Sequence, residues 1–316
     1  MLPIRPPPFG VYSPAVTFFN DDETVDFESS SRHIKRLLGS GLTGLVVHGS
    51  NGEATHLSRA ERVQIIHHIR SISKTLNLAP VLITGCSANS VRETLELIKE
   101  AHEAGADYAL VLPPNYWAGA MSKSVLKSFY VEVASSSSLP IVIYNFPGVT
   151  ANIDLDSDLI TELAKSCPRI VGAKLTCGNL GKLQRLSASL PASKFSSFAG
   201  KADFLLPGLV AGSNGVISAL ANIVPRVHVQ VTRLYQMGEL QKAQEIQAKL
   251  SVADSALLKM GISGVKAGIV RWFSYGSSNV RRPLPRIDPL SISADVKDAL
   301  QAVIDLELQL SNNGKL

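Results

Sequence analysis

Short apolar runs rich in branched side chains recur along the chain. They are VYSPAVTFF at 11–19, GLVVHGS at 44–50, VLITGC at 81–86, YALVLP at 108–113, IVIYNFP at 141–147, IVGAKL at 170–175, FSSFAG at 195–200 and NGVISA at 214–219. Each has the length of a strand and is flanked by turn-forming residues. Between them lie segments with apolar positions three and four apart, clearest at 58–76, 89–104 and 122–136, which predict amphipathic helices. The joins repeat as well: in GSGLTGLVVHG (39–49) and EAGADYALVLP (103–113) a helix tail ends on glycine and a strand follows within a few residues. Strict strand–helix alternation predicts an α/β fold with a parallel sheet and helices outside it. Eight such units fit a closed (β/α)8 TIM barrel, with an open doubly wound sheet as the competing arrangement.

Beyond residue 225 the strand pattern stops. Residues 226–260 and 293–310 read as helices, with a further segment around 264–276. The predicted organisation is an N-terminal arm (1–8), a barrel (9–225) and a C-terminal helical extension (226–316) packed on the barrel.

Composition narrows the classes of function. The chain has 316 residues, 45% of them hydrophobic, and a mean hydropathy of +0.16, which suits a well-cored globular protein. No apolar run approaches the roughly 18–20 residues needed to span a bilayer. The start, MLPIRPPPFG, offers neither a signal-peptide core nor an amphipathic transit helix. Cys86, Cys167 and Cys177 form no CxxC and no even framework, so a reducing, cytoplasmic setting is expected. The formal charge is +5, but Lys and Arg are scattered, and the one cluster (Arg281, Arg282, Arg286) has no aromatic platform beside it. The basic excess therefore reads as a solvated surface. Neither nucleic acid nor membrane is an expected partner. GSGLTG at 39–44 matches G-x-G-x-x-G, yet it follows a helix and precedes a strand, the reverse of a dinucleotide fingerprint. The seven histidines show no HExxH; His67 and His68 read as helix-surface residues, and no metal site is expected.

In a barrel the chemistry gathers at the C-terminal ends of the strands. There the second run carries HGSNGE (48–53), the fifth YNFPGVT (144–150), the sixth Lys174 and Thr176, and the eighth GVIS (215–218). A lysine inside a buried strand has three readings: an ammonium that snorkels to solvent, a fixed cation for a substrate anion, or a nucleophile that forms a Schiff base with a ketone. An ordinary lysine has a pKa near 10.4, and lowering it by about 3 takes about 4 kcal/mol of environment. A barrel interior lined by Val171 and Leu175 is expected to supply that by desolvation. Tyr144, on the adjacent strand, is placed to relay protons or else to cap a loop. In GSNGE the backbone N–H groups, with Ser50 and Asn51, form a candidate nest for a carboxylate. Thr176, two residues beyond the lysine, shares its face.

GSNGE, YNFP, GAKLT and GVIS, in this order on four separate predicted strands, resemble the pyruvate-dependent class I aldolase family that includes dihydrodipicolinate synthase and N-acetylneuraminate lyase. The resemblance runs from about residue 9 to 310, and GISGVKAGIVRWFSYG (261–276) is similar to the family's C-terminal helical region. Within the family the likeness is greatest to 4-hydroxy-2-oxoglutarate aldolases and fungal 2-keto-3-deoxy-L-galactonate (L-threo-3-deoxy-hexulosonate) aldolases. It implies a Schiff base on Lys174 and proton relay by Tyr144. It also implies a pyruvyl carboxylate on Ser50 and Asn51, with Ile217 behind the pyruvyl group. Tyr116 matches a family tyrosine that reaches a neighbouring subunit, and homotetramers built from dimers are common. No cofactor is implied, because the imine carries the electrons.

Two departures narrow the substrate. The synthase's arginine after YN-P is replaced by Val149, which removes a charge-assisted contact to a second carboxylate. Where sialic acid lyases carry acidic residues after the seventh strand, this chain has AGKADF, which brings Gly200 and Lys201 near the distal end of a substrate. The expected activity is reversible cleavage of a 4-hydroxy-2-keto acid to pyruvate and an aldehyde. The alternatives are condensation of pyruvate with aspartate semialdehyde and, from another class, a non-catalytic keto-acid-binding paralogue.

Overall fold

A computed structural model of the chain describes residues 4–313. The outermost residues of the expected arm and extension, 1–3 and 314–316, lie outside the described residues. Eight strands form a closed, all-parallel barrel in sequence order: β1 (Gly10–Pro14), β2 (Gly44–Val47), β3 (Val81–Gly85), β4 (Tyr108–Val111), β5 (Ile141–Asn145), β6 (Ile170–Leu175), β7 (Ser196–Ala199) and β8 (Gly215–Ile217). The open doubly wound alternative is thereby excluded. Closure depends on two glycines, since Gly10 pairs with Gly215 and a Cβ on Gly215 would fall 1.9 Å from the Gly10 carbonyl oxygen.

The outer helices are α1 (Phe27–Leu38), α2 (Arg59–Thr75), α3 (Val91–Glu103), α4 (Lys123–Ser136), α5 (Ser157–Ser166), α6 (Leu180–Ser189), α7 (Leu205–Val210) and α8 (Pro225–Gln236). The first six start on side-chain caps, from Asp26, Ser58, Ser90, Ser122, Asp156 and Asn179, each accepting a backbone N–H of the first turn. At Ser58 the Glu61 side chain returns the bond, completing a capping box. Such starts fix where each helix leaves its loop, and hence where each strand end points.

The structure corrects several boundaries. VYSPAVTFF is a strand only as far as Pro14, after which Phe18 and Phe19 are buried in a loop. The predicted helix 226–260 is two helices, α8 and α9 (Leu240–Leu258), separated where Gly238 takes a φ of +77°. The segment around 264–276 is mostly helix, α10 (Gly261–Phe273), and α11 (Ala294–Asn313) closes the described chain. We propose 9–225 and 226–316 as the barrel and extension units, with α8 serving both: it packs on β1 as the eighth outer helix and on α9 and α11 of the extension.

The N-terminal arm does more than precede the fold. The hydroxyls of Tyr12, Tyr108 and Ser196 donate to the carbonyls of Pro8 (2.8 Å), Arg5 (3.2 Å) and Pro7 (2.7 Å). The arm therefore covers the N-terminal end of the barrel, opposite the end where chemistry is expected. Arg281 likewise departs from the expected solvated surface. Its backbone N–H donates to Glu53 (3.0 Å), and its guanidinium holds Glu61 and the carbonyls of Glu23 and His56. Among the described residues no helix is long and apolar enough to cross a membrane.

Candidate active site

Lys174 is aimed by an irregularity in β6. Ile141 of β5 lies opposite Ile170, but Val142 lies opposite Gly172, which leaves Val171 as an extra residue. Val171 faces the barrel interior, whereas Ile170, Ala173 and Leu175 belong to the layer between strands and helices. Unbroken alternation from Val171 would have sent Lys174 outward with the helices; the extra residue turns it inward. Leu175 therefore does not line the interior, contrary to expectation.

Lys174 and Tyr144 are paired across β5 and β6, and each is 3% exposed. The lysine Nζ lies 3.2 Å from Tyr144 Oη and 4.3 Å from the ring centroid. Among the described residues Tyr144 is its hydrogen-bond partner, and no carboxylate neutralises it. A cavity of about 240 Å³ opens above this pair. It is lined by Ser50 and Asn51 after β2, Thr176 after β6, and Gly200 and Lys201 after β7. The Thr176 hydroxyl is buried and has no hydrogen-bond partner among the described residues, so it is free to meet a ligand. Gly200 is required by its neighbour, because a Cβ there would lie 2.3 Å from Thr176 Oγ1 and 2.5 Å from its backbone.

Ser50 and Asn51 sit in a single 3₁₀ turn, Ser50–Gly52. The last residue of GSNGE anchors that turn. Glu53 has a left-handed φ of +53° and a buried side chain ion-paired with Lys266 of α10. It also accepts from the Arg281 backbone and His56 Nδ1, at 3.0 and 3.1 Å. Burial lowers the Lys266 pKa to about 8, with Glu53 opposing the shift.

Val149 does line the cavity, as an apolar wall in the place of the synthase's arginine. Ile217 lies beneath it, in the same interior cluster as Tyr144, and does not line it. Tyr116 stands apart: it is 75% exposed, edge-on to Trp117 at 5.3 Å, and lines no part of this cavity.

Sequence reasoning missed the contribution of the C-terminal helices. Asp254 and Leu257 of α9 and Ile262 and Val265 of α10 complete the cavity wall. Asp254 is 1% exposed; burial raises its pKa to about 6, opposed in part by a hydrogen bond from the Asp203 backbone N–H and by the charge of Lys201. Only a buried position in an otherwise amphipathic helix could have flagged it. A second cavity of about 310 Å³ adjoins the first and shares Ser50, Tyr144, Val149 and Ile262 with it. There His48 is buried with a φ of +54°, and its pKa is pushed down to about 3 by burial and by Arg62.

Residues 7–305 match the family model described as the dihydrodipicolinate synthetase family. The chain belongs to that family. A probable mitochondrial 4-hydroxy-2-oxoglutarate aldolase from Emericella nidulans is 43% identical, over 98% of this chain and 99% of the relative. An L-threo-3-deoxy-hexylosonate aldolase from Aspergillus niger is 39% identical, over 95% and 96%. A crystal structure from Coccidioides immitis, described as a member of the dihydrodipicolinate synthase family, superposes with a TM-score of 0.84 at 40% identity, over 98% and 100%. This dihydrodipicolinate synthetase family member is thus an enzyme of the aldolase type, a carbon–carbon lyase.

Proposed function

We propose that the enzyme is a Schiff-base-forming class I aldolase that reversibly cleaves a 4-hydroxy-2-keto acid to pyruvate and an aldehyde. The observation that carries this reading is the unneutralised Lys174 amine, 3.2 Å from the Tyr144 hydroxyl at the floor of the cavity. The amine adds to the C2 ketone, and loss of water from the carbinolamine gives an iminium. Tyr144 passes protons to and from the carbinolamine oxygen and takes the proton of the C4 hydroxyl. The C3–C4 bond then breaks, its electrons move into the iminium to give an enamine, and the aldehyde leaves. Protonation at C3 and hydrolysis release pyruvate and restore the amine. Ser50 and Asn51 hold the C1 carboxylate. The Thr176 hydroxyl supplies a further hydrogen bond, and Ile217 supports the floor from below.

Condensation with aspartate semialdehyde is the weaker reading, because Val149 offers no charge to the second substrate's carboxylate. A pyruvate-release assay over 4-hydroxy-2-oxoglutarate and the five- and six-carbon 2-keto-3-deoxy acids tests the proposal. Tyr144→Phe is expected to lower kcat by about 10²–10⁴-fold. A Tyr144→Phe enzyme with wild-type kcat contradicts the assigned relay.

We propose a homotetramer, a dimer of dimers with Tyr116 at a subunit contact. The exposed Tyr116–Trp117 pair supports it, as aromatic side chains are enriched at interfaces. Light scattering on the eluted enzyme decides, and a monomer rules the arrangement out. The cytoplasm is the proposed compartment, supported by three free cysteines. Since the Emericella relative is named as mitochondrial, fractionation against mitochondrial markers is the test.

A further inference from the structure

The cavity above Lys174 has a second polar pole. Its ionisable lining comprises Lys174 and Tyr144 at one end, with Lys201 and Asp254 contributed by β7's loop and α9. The rest of the wall carries Ser50, Asn51 and Thr176 together with apolar side chains such as Val149, Leu257 and Ile262. Asp254 is buried and accepts the Asp203 backbone N–H at 3.1 Å. Lys201 acts on it electrostatically, but among the described residues no ion pair joins the two. With no bridge between them, the carboxylate keeps lone pairs and the ammonium keeps protons that a ligand with both donors and acceptors can use.

If Lys174 holds C2 and the turn at Ser50 and Asn51 holds C1, Lys201 and Asp254 are the charged groups left for the chain beyond C4. We propose that Lys201 and Asp254 form a hydroxyl-recognition pole that selects 2-keto-3-deoxy sugar acids over 4-hydroxy-2-oxoglutarate. This inference rests on the aldolase reading above. A tail hydroxyl donates to the Asp254 carboxylate and accepts from the Lys201 ammonium, so one neutral group satisfies both. A terminal carboxylate in the same place is attracted by Lys201 but meets the buried Asp254 as a like charge, and it has no proton to donate. The dicarboxylate would be favoured by a cation alone; the acid beside it reverses the preference. Removing the hydroxyl-binding acid should matter more for the polyol than for the dicarboxylate, since sites built to bind hydroxyls discriminate by leaving their own groups unpaired.

The test compares kcat/KM for a 2-keto-3-deoxyhexonate and for 4-hydroxy-2-oxoglutarate, using the full-length enzyme and pyruvate release as the readout. The wild type should favour the hexonate by at least about 10-fold. Asp254→Asn should reduce that ratio by about 10-fold or more, chiefly through loss on the hexonate. The wild-type ratio needs no variant, so it decides even if Asp254→Asn fails to fold. A wild-type preference for 4-hydroxy-2-oxoglutarate overturns the proposal, as does a folded Asp254→Asn enzyme with an unchanged ratio. Borohydride trapping of pyruvate on wild-type Lys174 runs in parallel. With the adduct present, a wrong ratio refutes the selectivity alone; without it, the aldolase reading falls and takes this inference with it.

Discussion

Lys174 was legible as an anomaly, a charged residue in a strand-like run, and the order of the predicted strands placed Tyr144 next to it, where the structure has it. Its direction was not legible. That depends on Val171 being an extra residue in β6, a register property set by β5, which no reading of β6 alone contains. The wrong inward assignment of Leu175 has the same origin. Asp254 shows the opposite limit: its local sequence, SVADSALL, is ordinary helix, and only the packing of α9 over the barrel makes it a buried acid. That burial has a stability consequence. With a pKa near 6 in the folded chain against 3.8 ordinarily, Asp254 binds its proton more tightly when folded. The stabilising effect of that proton is complete below about pH 4 and is lost as pH rises to about 6, leaving a constant penalty above. Asp254→Asn keeps an acceptor for the Asp203 N–H and removes the charge. The expected gain is on the order of 3 kcal/mol at pH 7.5, shrinking toward zero near pH 4. Melting temperatures at the two pH values check it; equal shifts at both mean that Asp254 is not titrating as described.

Elements divide into those written locally and those that depend on contact. The first six helices each begin on a capping side chain that the sequence displays, and their positions were read to within two residues at either end where they were predicted. The GSNGE turn is different. Its cavity-lining residues, Ser50 and Asn51, sit in a turn too short to hold itself, and Glu53 fastens it to α10 more than two hundred residues away. The sequence assigned Glu53 no role within GSNGE, whereas in the structure it is the turn's anchor. Lys266→Met leaves Glu53 buried without its cation, which costs about 3–5 kcal/mol and loosens the carboxylate nest. Denaturant unfolding should show the loss, and the pyruvate KM should rise. A variant with wild-type stability and KM removes this role from the pair.

At the scale of the molecule, the barrel supplies the Lys174–Tyr144 pair and the C-terminal helices complete the cavity wall. Eight strand–helix units were countable from the hydrophobic pattern because each strand is buried on both faces and each helix on one. The break between α8 and α9, and the docking of α9 and α10 over the cavity, were not, because apolar positions on these helices announce burial without naming the surface they bury against. The arm at residues 5–8, the Arg281 clamp and the Glu53–Lys266 pair all act over long sequence distances, and together they hold the two ends of the barrel to different tasks. In the proposed mechanism this scaffold presents Lys174 as a nucleophile toward a keto acid. Sodium borohydride added with pyruvate, followed by peptide mass spectrometry, tests it most directly. A Schiff base on Lys174 gives a reduced pyruvyl adduct on the peptide carrying Lys174 and none in Lys174→Ala; an unmodified Lys174, or an adduct on another lysine, would contradict the mechanism.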